Sequence, residues 1–307
     1  MRGTALSLHV DTVTVEVAGR LRDAGVRSIL LKGPAIASWL YADGSSRPYG
    51  DTDLLVAPDD VGAAGRVLRT AGFRRKQPGW QELSYSWFRR SDESTVDLHS
   101  SLFGVTCAPD LAWQTLSAQT DRLRVSGEEI EVLGLPARVL HVALHVAQHG
   151  GEQSEKPRHD LERALSLEDH GCWEQAARLA ERLEATPAFA AGLRLDSRGE
   201  RLAERMGLPD HPSPTVAMHA EGAQPLVLGL QHLATSRGVG PRLRLLARKL
   251  VPAPGYLRAH SALARRGAVG LALAYVLRPL RMLLELPAAV VAWRRARRPR
   301  SNPRSAR

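Results

Sequence analysis

Cysteine is nearly absent from this chain. Cys107 and Cys172 stand far apart, and neither has a Cys-x-x-Cys neighbour, so neither a disulfide framework nor a cysteine zinc site is supported. That usage suits a reducing cytoplasm. Lysine is almost as scarce: Lys32, Lys76, Lys156 and Lys249 stand among arginines that supply every other basic side chain. Long apolar runs are also lacking. Residues 267–277 and 286–293 are apolar, but Arg278, Arg281 and Glu285 interrupt them before roughly 20 residues accumulate, which argues against a membrane span. At the start, His9 and Asp11 break the unbroken apolar stretch that an export signal requires.

What is present is enough for a substantial core. The chain has 307 residues, 44% of them apolar, which allows one large domain or two ordinary ones. Its net charge of +10 is unevenly spread: residues 237–307 hold 17 Lys+Arg against the single acid Glu285, leaving a net −6 for residues 1–236. Such asymmetry marks contact with an anionic surface, nucleic acid or membrane, or else follows from the arginine-rich composition of the whole chain. Few aromatics accompany the basic segments, which gives base stacking little support.

The hydrophobic pattern predicts a helix over 8–24 ended by Gly25, then a buried strand over 26–31 cut off by Lys32-Gly33-Pro34. Pro34 suits the first turn of a helix reaching Tyr41, because its missing amide proton is not required there. A second strand, 51–56, opens on Asp51-Thr52-Asp53, and residues two apart on a strand face the same side. Pro58-Asp59-Asp60 caps a helix to Ala71. Two alternating segments, 83–88 and 94–99, form strands around the polar turn 89–93, and 122–125 with 130–133 form a further hairpin. After Pro136 nearly everything reads as helix. The fold class is therefore α+β, a mixed sheet flanked by helices over 1–135, followed by an all-helical domain over 136–298 and a disordered basic tail over 299–307.

Two carboxylates on one strand edge, Asp51 and Asp53, joined by Asp97 on a neighbouring strand, make a donor set for Mg²⁺, which takes hard oxygen ligands and leaves room for water and phosphates. Paired ions held this way straddle the attacking and leaving oxygens of an in-line phosphoryl substitution. His99 shares a strand face with Asp97 and either assists in the cleft or is a hydrogen-bonded strand-edge histidine. His141, His145 and His149 recur every four residues on one helix face. Four-residue steps spread them along about two turns, too far for all three to reach one zinc ion. The better reading puts His145 or His149 at the cleft with Asp160 nearby, and Gly150-Gly151 and Pro157 in a movable loop beside it.

The ordered set Leu30-Leu31-Lys32-Gly33, Arg47, Gly50-Asp51-Thr52-Asp53-Leu54-Leu55-Val56 and Val96-Asp97-Leu98-His99 resembles the DNA polymerase β-like nucleotidyltransferase superfamily. It is closer still to the family of uncharacterised nucleotidyltransferases with a helical C-terminal half. These motifs cover residues 26–100, and a weaker likeness extends to the helix 141–149, to His159-Asp160-Leu161, to Pro252-Ala253-Pro254 and to the arginine-bearing helix around 275–281. The resemblance implies Asp51, Asp53 and Asp97 as metal ligands, Asp97 also helping to remove a proton from the acceptor hydroxyl. It implies that the Gly33 backbone approaches nucleotide phosphates and that Lys32 reaches the triphosphate, unless Lys32 is a solvated turn residue. Arg47 contacts phosphate or braces its loop by pairing with Asp51. The superfamily places Gly or Ser where this chain has Pro34, which offers no amide or hydroxyl to a phosphate.

The expected activity is Mg²⁺-dependent transfer of a nucleotidyl group, AMP from ATP, to a hydroxyl of a small molecule, peptide or protein. The alternatives are an inactive nucleotide- or partner-binding module, favoured by Pro34, and a basic helical scaffold for nucleic acid or membrane. The donor is ATP or another NTP, and the sequence names neither the acceptor nor the oligomeric state. The expected location is cytoplasmic, with the basic end leaving a membrane-peripheral position open.

Overall fold

The computed structural model describes residues 2–76, 84–149, 155–220, 223–235, 238–252 and 254–297. The chain forms two compact units, Met1–Pro212 and Ser213–Arg307.

In the first unit the elements run α1 (Arg2–Asp23), β1 (Ser28–Leu30), α2 (Pro34–Leu40) and β2 (Thr52–Val56), then α3 (Val61–Thr70) after a 3-10 turn at Pro58–Asp60. β3 (Arg74–Arg75), β4 (Ser84–Arg89) and β5 (Ser94–His99) follow, then α4 (Pro109–Ser117), β6 (Thr120–Val125) and β7 (Glu128–Leu133). The seven strands form one mixed sheet in the order β3-β4-β5-β2-β1-β7-β6. β2 is antiparallel to β1 but parallel to β5, and β1 is parallel to β7. The β6–β7 hairpin closes on Ser126 and Gly127, both at positive φ as a two-residue turn matched to strand twist requires. Two local expectations differ. Asp60 sits at the start of α3 but accepts no capping hydrogen bond, and α4 arises in a segment where no element was expected.

Alternation on the strands sorts the sheet into two faces. Leu54 and Val56 of β2 and Val96 and Leu98 of β5 join Val13, Val17 and Leu21 of α1 and Leu68 of α3 in one core. Each such side chain contributes roughly 1.5–3 kcal/mol on burial. Every residue of β2 is nonetheless buried, so its opposite face is covered too. That face bears Asp53 and Leu55, beside Asp97 and His99 of β5.

Five helices follow the sheet, α5 (Leu135–His149), α6 (Glu155–Leu167), α7 (His170–Arg182), α8 (Thr186–Leu193) and α9 (Ser197–Arg205). α5 packs against α6, α7 and α8. Pro157 lies in the first turn of α6, not in a loop, and Gly150 and Gly151 fall outside the described residues. The Asp169 and Asp196 side chains accept backbone N–H bonds at the starts of α7 and α9, satisfying amides that a helix leaves open. The shift to all-helical structure after residue 135 thus lies inside the first unit.

The second unit holds α10 (Pro214–Ala220), α11 (Pro225–Thr235), α12 (Val239–Leu250), α13 (Pro254–His260) and α14 (Gly267–Arg297). α10, α11 and α13 pack on α14 through two small clusters, Met218, Val227, Leu228 and Ala289, and Leu257, Ala264 and Ala274. Trp293 Nε1 donates to Gln231 Oε1 at 2.9 Å. Among the described residues α14 is the one helix long and apolar enough, by length and composition, to cross a bilayer. The tail expected over 299–307 lies outside the described residues.

Candidate active site

The site grows from the pairing of β2 with β5. Parallel register sets Asp53 beside Asp97 and Leu55 beside His99, so both carboxylates project from the same side of the sheet. Thr52, between the two acids of the Asp-x-Asp triplet, points to the other face, where its hydroxyl bonds Thr14 of α1 at 2.8 Å. Asp53, Asp97 and His99 offer ligand atoms that all lie within 4.8 Å of one another. Asp51 precedes the strand and stands outside that group. It still belongs to the same electrostatic neighbourhood: burial raises its pKa, the Asp53 charge adds to the rise, and Lys32 opposes it.

Asp53 is 2% exposed, and an ionised carboxylate so deep is costly unless it is paired. Lys32 Nζ donates to Asp53 Oδ1 at 2.9 Å, and His99 Nε2 lies 2.9 Å from the same oxygen. Burial pushes this carboxyl up, but the Lys32 ammonium and the His99 ring outweigh it and hold Asp53 well below the usual carboxylate range. Lys32 is therefore not a solvated turn lysine; its side chain is 20% exposed and bound to an acid. On β4, Ser86 Oγ donates to Asp97 Oδ1 and fixes the second carboxylate.

Between β1 and α2, Gly33 has φ +59° and ψ −122°, a backbone shape that L side chains rarely adopt. A Cβ there would lie 3.4 Å from the Tyr49 ring. Pro34 opens α2 with no amide to offer, as its sequence position implied.

Arg47 does not pair with Asp51. Its Nε and Nη2 donate to the two oxygens of Asp160 on α6 at 2.8 and 2.7 Å, and both side chains are 3% exposed. Tyr41 donates its hydroxyl to Asp160 at 2.9 Å, and burial, followed by the Asp160 charge, pushes that phenol up to about 12. Arg47 Nη1 remains buried without a hydrogen-bond partner. Nearby, Lys156 Nζ donates to the Pro48 carbonyl at 2.6 Å; burial and then Arg47 lower its pKa, while Asp160 and Asp51 oppose. Sequence reasoning passed over Lys156. The signal available was scarcity, since two of the four lysines, Lys32 and Lys156, stand at this site.

The three histidines of α5 line up as expected, with ring centroids 6.1 Å apart for His141 and His145 and 4.9 Å for His145 and His149. Burial and then the Lys32 charge lower all three, His141 to about 3 and His145 well below its ordinary value. The ladder thus faces the Lys32–Asp53 pair as neutral imidazoles. Among the described residues it gathers no metal-holding group of its own.

The mixed sheet carries two carboxylates on adjacent parallel strands, and a glycine turn after β1 leads into α2. Residues 5–198, more than half of the chain, match the family described as uncharacterised nucleotidyltransferase, and the chain belongs to that family. It is accordingly a transferase enzyme. Solved structures similar to it include that of the antibiotic-resistance factor ANT(2'')-Ia, at 15% identity and a TM-score of 0.37, covering 64% of this chain and 98% of that one. Another is an antigenic nucleotidyltransferase-like protein from Paracoccidioides brasiliensis, at 15% identity and a TM-score of 0.33, covering 57% of this chain and 92% of that one. No curated protein matches the chain.

Proposed function

We propose that the chain transfers a nucleotidyl group, AMP from ATP, to a hydroxyl of a small molecule, peptide or protein, with Mg²⁺ held by Asp53 and Asp97 and with Asp51 beside them. The observation that carries this reading is the ligand set on β2 and β5: carboxylates in register, converging with His99 within 4.8 Å. Its donor chemistry fits, because carboxylate oxygens suit Mg²⁺ and an ammonium already satisfies Asp53 Oδ1 where a cation is wanted. When bound, divalent metal supplies charge stabilisation to the phosphoryl oxygens.

The chain's own residues do the rest. Asp97, held by Ser86, takes the proton of the acceptor hydroxyl as its oxygen bonds the α-phosphorus and the bond to pyrophosphate breaks. Lys32, whose ammonium lies beside Asp53 at 2.9 Å, would pair with triphosphate oxygens when nucleotide is bound. Gly33 lets the backbone come close to them. Arg47 anchors its loop through Asp160 and keeps Nη1 for an anionic oxygen. The two free cysteines suit a reducing cytoplasm.

A second reading, nucleotide binding without turnover, is favoured by Pro34, which removes an amide from the first turn of α2. Labelled ATP with Mg²⁺ separates the two. Turnover releases pyrophosphate or labels an acceptor, and Asp53→Ala or Asp97→Ala lowers the rate roughly a hundredfold or more. Retained binding with no product in the unaltered protein would establish the second reading, and full activity in both variants would remove the metal site.

A further inference from the structure

Helix α14 leaves one side uncovered. Val269, Leu273, Val276, Leu280, Leu283 and Val291 recur at helical spacing along one stripe, and all are exposed. At 1.5 Å per residue the stripe is about 33 Å long. The covered side carries small residues, Gly270, Ala274 and Ala289. The charges that interrupt this segment in sequence do not interrupt the stripe. Arg278 is half a turn of the helical wheel from Val269 and lies over the Tyr256 ring at 5.4 Å, while Arg281 donates to Glu285 at 2.8 Å on a neighbouring flank. Exposed arginines close both ends, Arg265 and Arg266 before the helix and Arg294, Arg295 and Arg297 in its last turn.

We propose that this face of α14 lies in the interface of an anionic lipid bilayer, its axis along the membrane plane, with the aliphatic stripe at the acyl boundary and the arginines on the headgroups. Charge complementarity selects this occupant. Residues 213–307 hold 17 basic side chains against Glu221 and Glu285, and basic segments of this kind are drawn to anionic lipid. A second copy docking by the same face would bring two strongly positive surfaces together. Nucleic acid would meet aliphatic side chains with no stacking aromatic along the stripe. A transmembrane course would carry Arg278 and the Arg281–Glu285 pair into hydrocarbon.

The test is flotation of the full chain with vesicles of phosphatidylcholine alone or of phosphatidylcholine with phosphatidylserine. Binding is expected only to the anionic vesicles, and release by high salt and by alkaline carbonate. Leu280 and Leu284 are 54% and 77% exposed, so Leu280→Asp with Leu284→Asp leaves the fold intact, checked by circular dichroism. That double variant is expected to bind at least roughly tenfold more weakly. Equal binding to neutral vesicles, or binding that survives the double substitution, overturns the proposal. So do resistance to carbonate, which would mean a span, a dimer dissolved by the same substitutions without vesicle binding, and retention of RNA in place of vesicles.

Discussion

The Arg47–Asp160 pair shows what a buried charge does for a functional loop. A guanidinium and a carboxylate, each 3% exposed, are tolerable only because each neutralises the other with two hydrogen bonds and Tyr41 adds a third. Together they tie the segment before β2 to α6, and so set where Asp51 enters the site. Arg47→Met leaves Asp160 buried without its cation and is expected to lower unfolding free energy by roughly 3–5 kcal/mol, measured by urea titration. Asp160→Asn in the same chain should restore part of that loss, because the stranded charge is then gone. This partner was not legible in the sequence. The bond spans 113 residues, and nothing local to Arg47 distinguishes Asp160 from the nearer Asp51. That Asp97 and His99 share a face was legible, because the two-residue period of a strand fixes it, whereas setting Asp53 beside Asp97 required the register of β2 with β5. Lys32 was found by its motif, but its partner Asp53 required the fold, since β1 and β2 meet only by pairing.

At the scale of elements, α5 carries the histidine ladder and α8 holds α5 in place. The contact is backbone to backbone: a Cβ on Gly192 would fall 1.9 Å from the Ala143 carbonyl oxygen. Gly192→Ala must separate the two helices, so it is expected to cost about 1–3 kcal/mol or more and to shift the ladder relative to Lys32, read as a lower melting temperature and weaker nucleotide binding. The ladder also makes stability depend on pH. His141 has a folded pKa of about 3 against an ordinary 6.5, with burial and then Lys32 as causes. A depressed histidine is neutral in the fold, and the unfolded chain takes up a proton that the folded chain refuses. Its stabilising contribution is whole above pH 6.5 and is lost as pH falls toward 3, by about 1.4 kcal/mol per pH unit for each such imidazole. His141→Asn is expected to flatten the slope of unfolding free energy between pH 7 and 5 by about one proton, whatever its effect on stability at neutral pH. The helical periodicity of α5 was plain in the sequence. The helix α4 was not, because nine residues opened by a proline carry too few periods to distinguish them from loop.

At the scale of the whole molecule, charge divides as the compact units do. The family match ends at residue 198, and the first unit ends at Pro212. Of the net +10, residues 213–307 contribute +15, so residues 1–212 carry −5. The asymmetry was visible in composition alone, but composition could not say that the basic arginines frame an uncovered aliphatic stripe. That required knowing which side of α14 the small residues Gly270, Ala274 and Ala289 bury. The sheet, both acids, Lys32 and the Arg47–Asp160 pair all belong to the first unit. A chain ending at residue 212 is therefore expected to fold cooperatively, to elute as an anion at neutral pH and to bind nucleotide with the affinity of the full chain within a factor of about three, by calorimetry. The same fragment should lose all preference for anionic vesicles, since its net charge repels them. A fragment that folds but binds nucleotide far more weakly would mean that residues 213–307 complete the site, and would move the boundary of the catalytic body beyond Pro212.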